Sequence, residues 1–218
     1  MNTIKVPGES ALELAVASLD KDQRTIICGD DDELENLLSQ VDSADEDPMY
    51  YVECAEDVDI FIWLSDRLEE FEEDYDLDEE AIVGAWPEHI DVQEFVLNTD
   101  ITTGQILAEV NAVELEVSSS WHIPALLNFG GWNECPEPEI HCAIWQYWQK
   151  TYDAHIVAVS HDVIEAKVFR PPRTRDQAME LAWQQYLYCT DIVDQGVQSL
   201  SNLAASLIDH DLWYFWWD

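Results

Sequence analysis

Apolar positions recur along the chain with both helical and strand periods. Residues 24–28 (RTIIC) form a short apolar run closed by Gly29, as a buried strand would, and Leu34, Leu37, Leu38 and Val41 follow at helical spacing. Asp30, Asp31, Asp32 and Glu33 stand at the start of that helix, where carboxylates meet the positive end of the macrodipole. A second strand is expected at residues 50–54. After it, Leu64, Leu68, Phe71 and Tyr75 share one helix face, which leaves Glu69, Glu70, Glu72, Glu73 and Asp74 for the opposite face and its end. Residues 94–97 and 112–117 read as strands with alternating acids.

The rest of the chain is more regular. Ile140, Ala143, Ile144, Tyr147 and Trp148 make a helical stripe, and residues 155–160 and 163–169 read as two strands joined by a tight turn at His161 and Asp162. Thr174 with Gln177 three residues later predicts a capped helix carrying Ala178, Leu181, Ala182 and Tyr186. Leu200, Leu203, Ala204, Leu207 and Ile208 form a further helical face, and the terminal WYFWWD is either a buried strand or an adhesive surface. These elements predict an α+β fold with a mixed or antiparallel sheet and flanking helices, as one composite domain or two packed lobes.

Charge divides the chain. Of 218 residues, 47 are Asp or Glu and 9 are Lys or Arg, a net charge of −38. Residues 1–120 hold 34 acids and 4 bases, and residues 121–218 hold 13 and 5, so the expected organisation is a strongly acidic first lobe and an aromatic-rich second one. With 47% hydrophobic residues and 10 tryptophans the chain has the apolar content to fold. Its charge opposes direct nucleic-acid binding, which depends on Lys and Arg neutralising phosphates. No apolar stretch approaches the length of a membrane span or signal core, and five cysteines without a CxxC pair suit reduced thiols, so a cytoplasmic location is expected.

Several groupings carry residue types used in chemistry. The DYDLDEE run, with Asp74, Asp76, Asp78, Glu79 and Glu80, has the carboxylate alternation of a calcium loop, but its sixth and twelfth positions are Glu79 and Ala85, not Gly and Glu. It reads as a solvated acidic face. Cys135, His141, Cys142 and Cys189 are soft ligand types at the wrong spacing for paired zinc ligands, so buried thiols are expected, and no metal or other cofactor is called for. No nucleophile elbow, zincin, dinucleotide or phosphate-loop motif occurs. Cys135 with His155 or His161 is a conceivable distant pair.

The segments FGGWNECP (129–136), Tyr147 through RPP (170–172), QYLYCTDIVDQG (185–196) and WYFWWD resemble the bacterial domain-of-unknown-function family numbered 4253. VPG (6–8) and IICGDDDEL (26–34) look like the opening of its longer members, so the likeness extends over most of the chain. The resemblance implies a soluble bacterial protein, brings no catalytic mechanism, and gives some support to an immunity role, since some relatives are thought of as companions of toxins. Within the similar segments, Trp132, Asn133, Glu134, Asp191 and Gln195 are candidate pocket residues.

An anionic shell this dense destabilises the compact state, so a countervailing role is expected of it. The leading expectation is a non-enzymatic binding protein that neutralises a basic protein partner, as the immunity protein of a bacterial toxin such as a nuclease would. Asp30 to Glu33 and the acids from Glu69 to Glu80 are its contacts. The alternatives are a small hydrolase or ligand-binding enzyme with a pocket around Trp132, Glu134, His141 and Asp191, and a DNA mimic.

Overall fold

The computed structural model describes residues 1–74 and 79–218. Six strands form one mixed sheet in the order β1-β3-β2-β4-β5-β6: β1 (Asn2–Pro7), β2 (Gln23–Gly29), β3 (Glu109–Glu116), β4 (Ala154–Val159), β5 (Val163–Val168) and β6 (Leu212–Trp216). Every neighbouring pair is antiparallel except β2–β4 in the middle. The fold is therefore α+β, and its single sheet draws β1–β3 from the acidic half and β4–β6 from the aromatic half.

The two faces of the sheet are covered unequally because the helices are distributed unequally. The larger core packs Ile26, Val113, Ile156, Ile164 and Phe215 of the strands against Leu37, Phe71, Trp145, Trp148, Leu181 and Leu203. Those side chains come from α2 (Asp31–Asp42), α4 (Ile60–Asp74), α7 (Pro138–Tyr152), α8 (Arg175–Tyr188) and α9 (Leu200–Leu207). The opposite face holds Val6, Ile27, Val110 and Val157 under α1 (Ala11–Ala17) and an irregular strap, residues 91–97, that contributes Phe95 and Leu97.

The helix starts follow local chemistry. The Asp30 carboxylate accepts the N–H groups of Asp32 and Glu33 at 3.0 Å, and the Thr174 hydroxyl accepts that of Gln177 at 3.3 Å. The strand expected at 50–54 is instead a helix, α3 (Pro48–Ala55): Asp47 accepts the Met49 N–H at 2.8 Å and Pro48 occupies the first helical position. The aromatic and β-branched residues that suggested a strand are overruled by this start signal. Residues 94–97 are not a strand either, because the N–H groups of Val96 and Leu97 donate to the buried Glu165 carboxylate of β5, at 2.7 and 2.9 Å, not to a neighbouring strand.

The aromatic terminus is the buried strand of its two alternatives. Trp213, Phe215 and Trp217 alternate into the larger core, while Leu212, Tyr214 and Trp216 face the other side.

Candidate functional sites

The acidic helices lie on the outer surface of the larger core. Asp30, Asp31, Asp32, Glu69, Glu70, Glu72 and Glu73 are exposed, and Glu33 is half-buried. Asp74 ends α4, and Glu79 and Glu80 open the short α5 (Glu79–Val83); Asp76 and Asp78 lie outside the described residues. Among the described residues, ion pairs reach few of the acids on α2, α3 and α4: Asp31 meets Lys5 at 2.7 Å, Glu33 meets His161 at 2.9 Å, and Glu70 meets Arg67 at 2.8 Å. Arg67 also pairs with Glu134 at 2.8 Å and lies over the Phe71 ring, so its charge is committed within the fold.

The same helices expose apolar side chains that sequence reasoning did not single out. Met49 and Tyr50 on α3 are 51% and 52% exposed, and Phe61 and Ile62 on α4 are 58% and 60%. Exposed carboxylates adjoin them in sequence, at Asp45, Glu46, Asp47, Glu53, Asp59 and Asp66. Phe61 and Ile62 stand outside the stripe Leu64, Leu68 and Phe71, which is the signal the sequence offers for them, whereas the strand expectation at 50–54 masks Tyr50.

The candidate pocket residues divide between two cavities. Asn133 and Glu134 line a shallow one with Trp63, Arg67 and Cys135, beside the half-buried Trp132. Asp191 and Gln195 line a second, of about 280 Å³, between α8, α9, β6 and the strap. A hydrogen-bond chain links the two: Asn133 donates to the Asp218 carbonyl at 2.6 Å, Asp218 N–H donates to Asp191, and Gln195 donates to Asp191 at 2.7 Å. Between Asp191 and Gln198 the chain makes a π-helix, Ile192–Val197, whose wide turn forms one wall of the second cavity.

His141 lines neither cavity. It is fully buried, with Nδ1 2.5 Å from the Tyr188 hydroxyl and Nε2 3.4 Å from Cys135 Sγ, and the Trp145 indole donates to the same hydroxyl at 2.9 Å. Burial lowers the His141 pKa to about 3, leaving the imidazole neutral, and burial also pushes the Cys135 thiol up. The pair is thus a neutral packing element, without the thiolate that nucleophilic catalysis uses. Gly130, at φ 112°, explains the double glycine of FGGWNECP: a Cβ there would fall 2.0 Å from the Pro136 carbonyl and 2.8 Å from the imidazole.

The other distant pairings do not form. His155 bonds Asp153 and His161 bonds Glu33, so neither meets Cys135, whose partner is His141. Nor do the four soft ligands converge: the Cys189 thiol donates to the Trp216 carbonyl, and Cys142 packs with Val52 and with Ala125 of the short α6 (Ile123–Leu126). Among the described residues, Glu33, His161 and Asp162 are the group that could hold a metal ion, with ligand atoms within 4.8 Å of one another. There His161 bridges to Glu33, and Asp162 accepts from Ser160 and from the Trp216 indole. Among the described residues no helix is long and apolar enough to cross a membrane.

Residues 111–218 match the family described as a domain of unknown function, DUF4253, and the chain belongs to that family through this region. The region takes in most of β3, all of β4 to β6, the His141 cluster and most of the lining of both cavities; Trp63, Arg67, Asp91 and Gln93 of those linings, and residues 6–8 and 26–34, lie outside it. No curated protein and no solved structure matches the chain.

Proposed function

We propose that the protein is a non-catalytic binding protein whose acidic helices capture a cationic protein partner, as an immunity protein captures a basic toxin. What supports it is the placement of carboxylates beside exposed Met49, Tyr50, Phe61 and Ile62 on α3 and α4, while Lys5, Arg24 and Arg67, three of the lobe's four cations, are engaged within the fold. Arg24 is buried and donates to the Ser118 carbonyl, and Arg67 is held between Glu70 and Glu134. An uncompensated negative field accelerates encounter with a positive surface, and desolvated aromatic side chains then supply the affinity that exposed charges do not. The neutral, buried state of Cys135 and His141 fits a role in packing and not in covalent catalysis.

The test is association of the purified chain with the protein encoded next to it, followed by stopped flow at rising salt. The association rate should fall by about tenfold or more between roughly 50 and 500 mM NaCl. Replacing Glu69, Glu72 and Glu73 together by Gln should lower the association rate by about threefold and leave dissociation nearly unchanged. A rate indifferent to ionic strength rejects capture by the acidic face, and a neighbour that does not bind rejects the immunity role.

A further inference from the structure

β6 is an edge strand, and its hydrogen-bonding register fixes which of its backbone groups are open. Asp211 accepts the Val168 N–H at 2.8 Å and the Trp217 N–H donates to Asp162 at 3.1 Å, so 211, 213, 215 and 217 form the narrow pairs with β5. The N–H and C=O groups of Leu212, Tyr214 and Trp216 therefore point away from the sheet. Of these, the Trp216 carbonyl accepts the Cys189 thiol at 3.0 Å; those of Leu212 and Tyr214, with the Trp216 N–H, have no hydrogen-bond partner among the described residues.

The cavity of about 280 Å³ runs along this edge. On the larger-core side its walls are Ile192, Leu203 and Leu207; on the other side stand Asp91 and Gln93 of the strap. His210 lines it, with its ring 2.7 Å from the Gln93 carbonyl, and so does Trp216, whose carbonyl accepts the Cys189 thiol. Two further donors belong to residues that line it. The Gln185 Nε2 and Trp213 Nε1 groups are buried without a hydrogen-bond partner, on residues 1% and 2% exposed. An unpaired buried donor destabilises a fold by about 1–3 kcal/mol, so two of them beside one cavity point to an acceptor supplied from outside.

We infer that this groove receives a short extended peptide segment of a protein partner, which adds to β6 as a seventh strand. A peptide backbone matches the alternating donors and acceptors of the open edge, and its carbonyls are acceptors of the kind Gln185 and Trp213 lack. The two walls specify its sequence. Side chains turned to Leu203 and Leu207 are apolar, and those turned to Asp91 are Lys or Arg, an alternation that also suits a chain of net charge −38. The site is separate from α3 and α4, and the inference does not rest on capture by those helices.

The test uses the full-length protein and a blocked hexapeptide of alternating valine and lysine, with binding followed by tryptophan fluorescence and by amide hydrogen exchange. Saturating peptide should slow exchange at Leu212, Tyr214 and Trp216 by about tenfold or more. N-methylation of the peptide's valines or of its lysines distinguishes the two backbone edges: one set should weaken binding by about tenfold and the other by less than about twofold. Asp91→Asn should weaken it by about twofold at low salt, while the triple Gln replacement on α4 leaves it within that range. Unchanged exchange along β6 overturns the inference. So does equal tolerance or equal loss for the two N-methylated peptides, which would mean side-on capture of an apolar molecule without strand pairing.

Discussion

The acidic helices and the aromatic half rest on the same sheet, yet they treat polar groups in opposite ways. Around β4–β6, polar groups are buried, several of them in pairs: His141 meets Tyr188, Trp145 donates to Tyr188, and Trp148 donates to Gln184 at 3.1 Å, while Gln185 Nε2 and Trp213 Nε1 are buried without a partner among the described residues. Trp145, Trp148, Tyr188, Trp213 and Phe215 make mostly edge-to-face contacts within this network, with Trp148 and Phe215 stacked at 5.5 Å. On α2, α3 and α4 the polar groups are mostly charged, exposed and of one sign, while Leu37, Leu64 and Phe71 hold α2 and α4 to the common core. Stability thus originates mainly in the second region. The first keeps a surface that opposes its own compactness, and repulsion of that kind is relieved by a positive partner.

The largest effect that sharpens this contrast is expected at Trp148. Trp148→Ala removes a fully buried ring from four aromatic neighbours and leaves the Gln184 acceptor unmatched, so it should destabilise by about 3–5 kcal/mol, read as a shift in the urea midpoint. A loss below about 1 kcal/mol would contradict a fold anchored in the aromatic half.

Glu165 would break the contrast, being a carboxylate buried within the aromatic half. Burial raises its pKa to about 7, against 4.5 ordinarily, although the N–H groups of Leu97 and Val96 act in the other direction. Its folded form binds a proton more readily than its unfolded form. The associated stability is therefore complete below about pH 4.5 and is lost as pH rises through about 7, by roughly 3 kcal/mol. His141 has the opposite sign, its lowered pKa adding stability as pH rises from about 3 to 6.5. The stability difference between the wild type and Glu165→Gln isolates the first term. It should shrink as pH rises from about 5 to 8, and a difference independent of pH would show that the strap is not held by a titrating carboxylate.

A smaller effect is expected where the regions meet. Arg67 on α4 reaches Glu134 in the loop before α7, with a side chain 16% exposed. Arg67→Ala should destabilise by about 1–2 kcal/mol, more than an exposed pair, and part of that loss should vanish in about 1 M salt. A change within about 0.3 kcal/mol in thermal or urea unfolding would mean that apolar packing alone holds α4 in place.

The chain's own pattern settled the elements whose signals are local. The helical stripes that became α2, α4, α7, α8 and α9 have periodicity or caps within a few residues, and the alternation in the terminal aromatics left a buried strand among its two readings. The charge division was equally legible, because it is a count along the chain. Tertiary contacts decided the rest. Residues 94–97 have strand-like side chains but surrender backbone N–H groups to Glu165, a residue 68 or 69 positions away in sequence. Cys135 meets His141, not His155 or His161, because the Gly130 turn folds the loop over that imidazole. Asn133 and Glu134 separate from Asp191 and Gln195 into different cavities, and β6 runs along the second only because it is the last strand of the sheet. Periodicity and caps act over one turn or one strand, whereas a buried hydrogen bond or a sheet edge depends on which distant segments fill the space beside it.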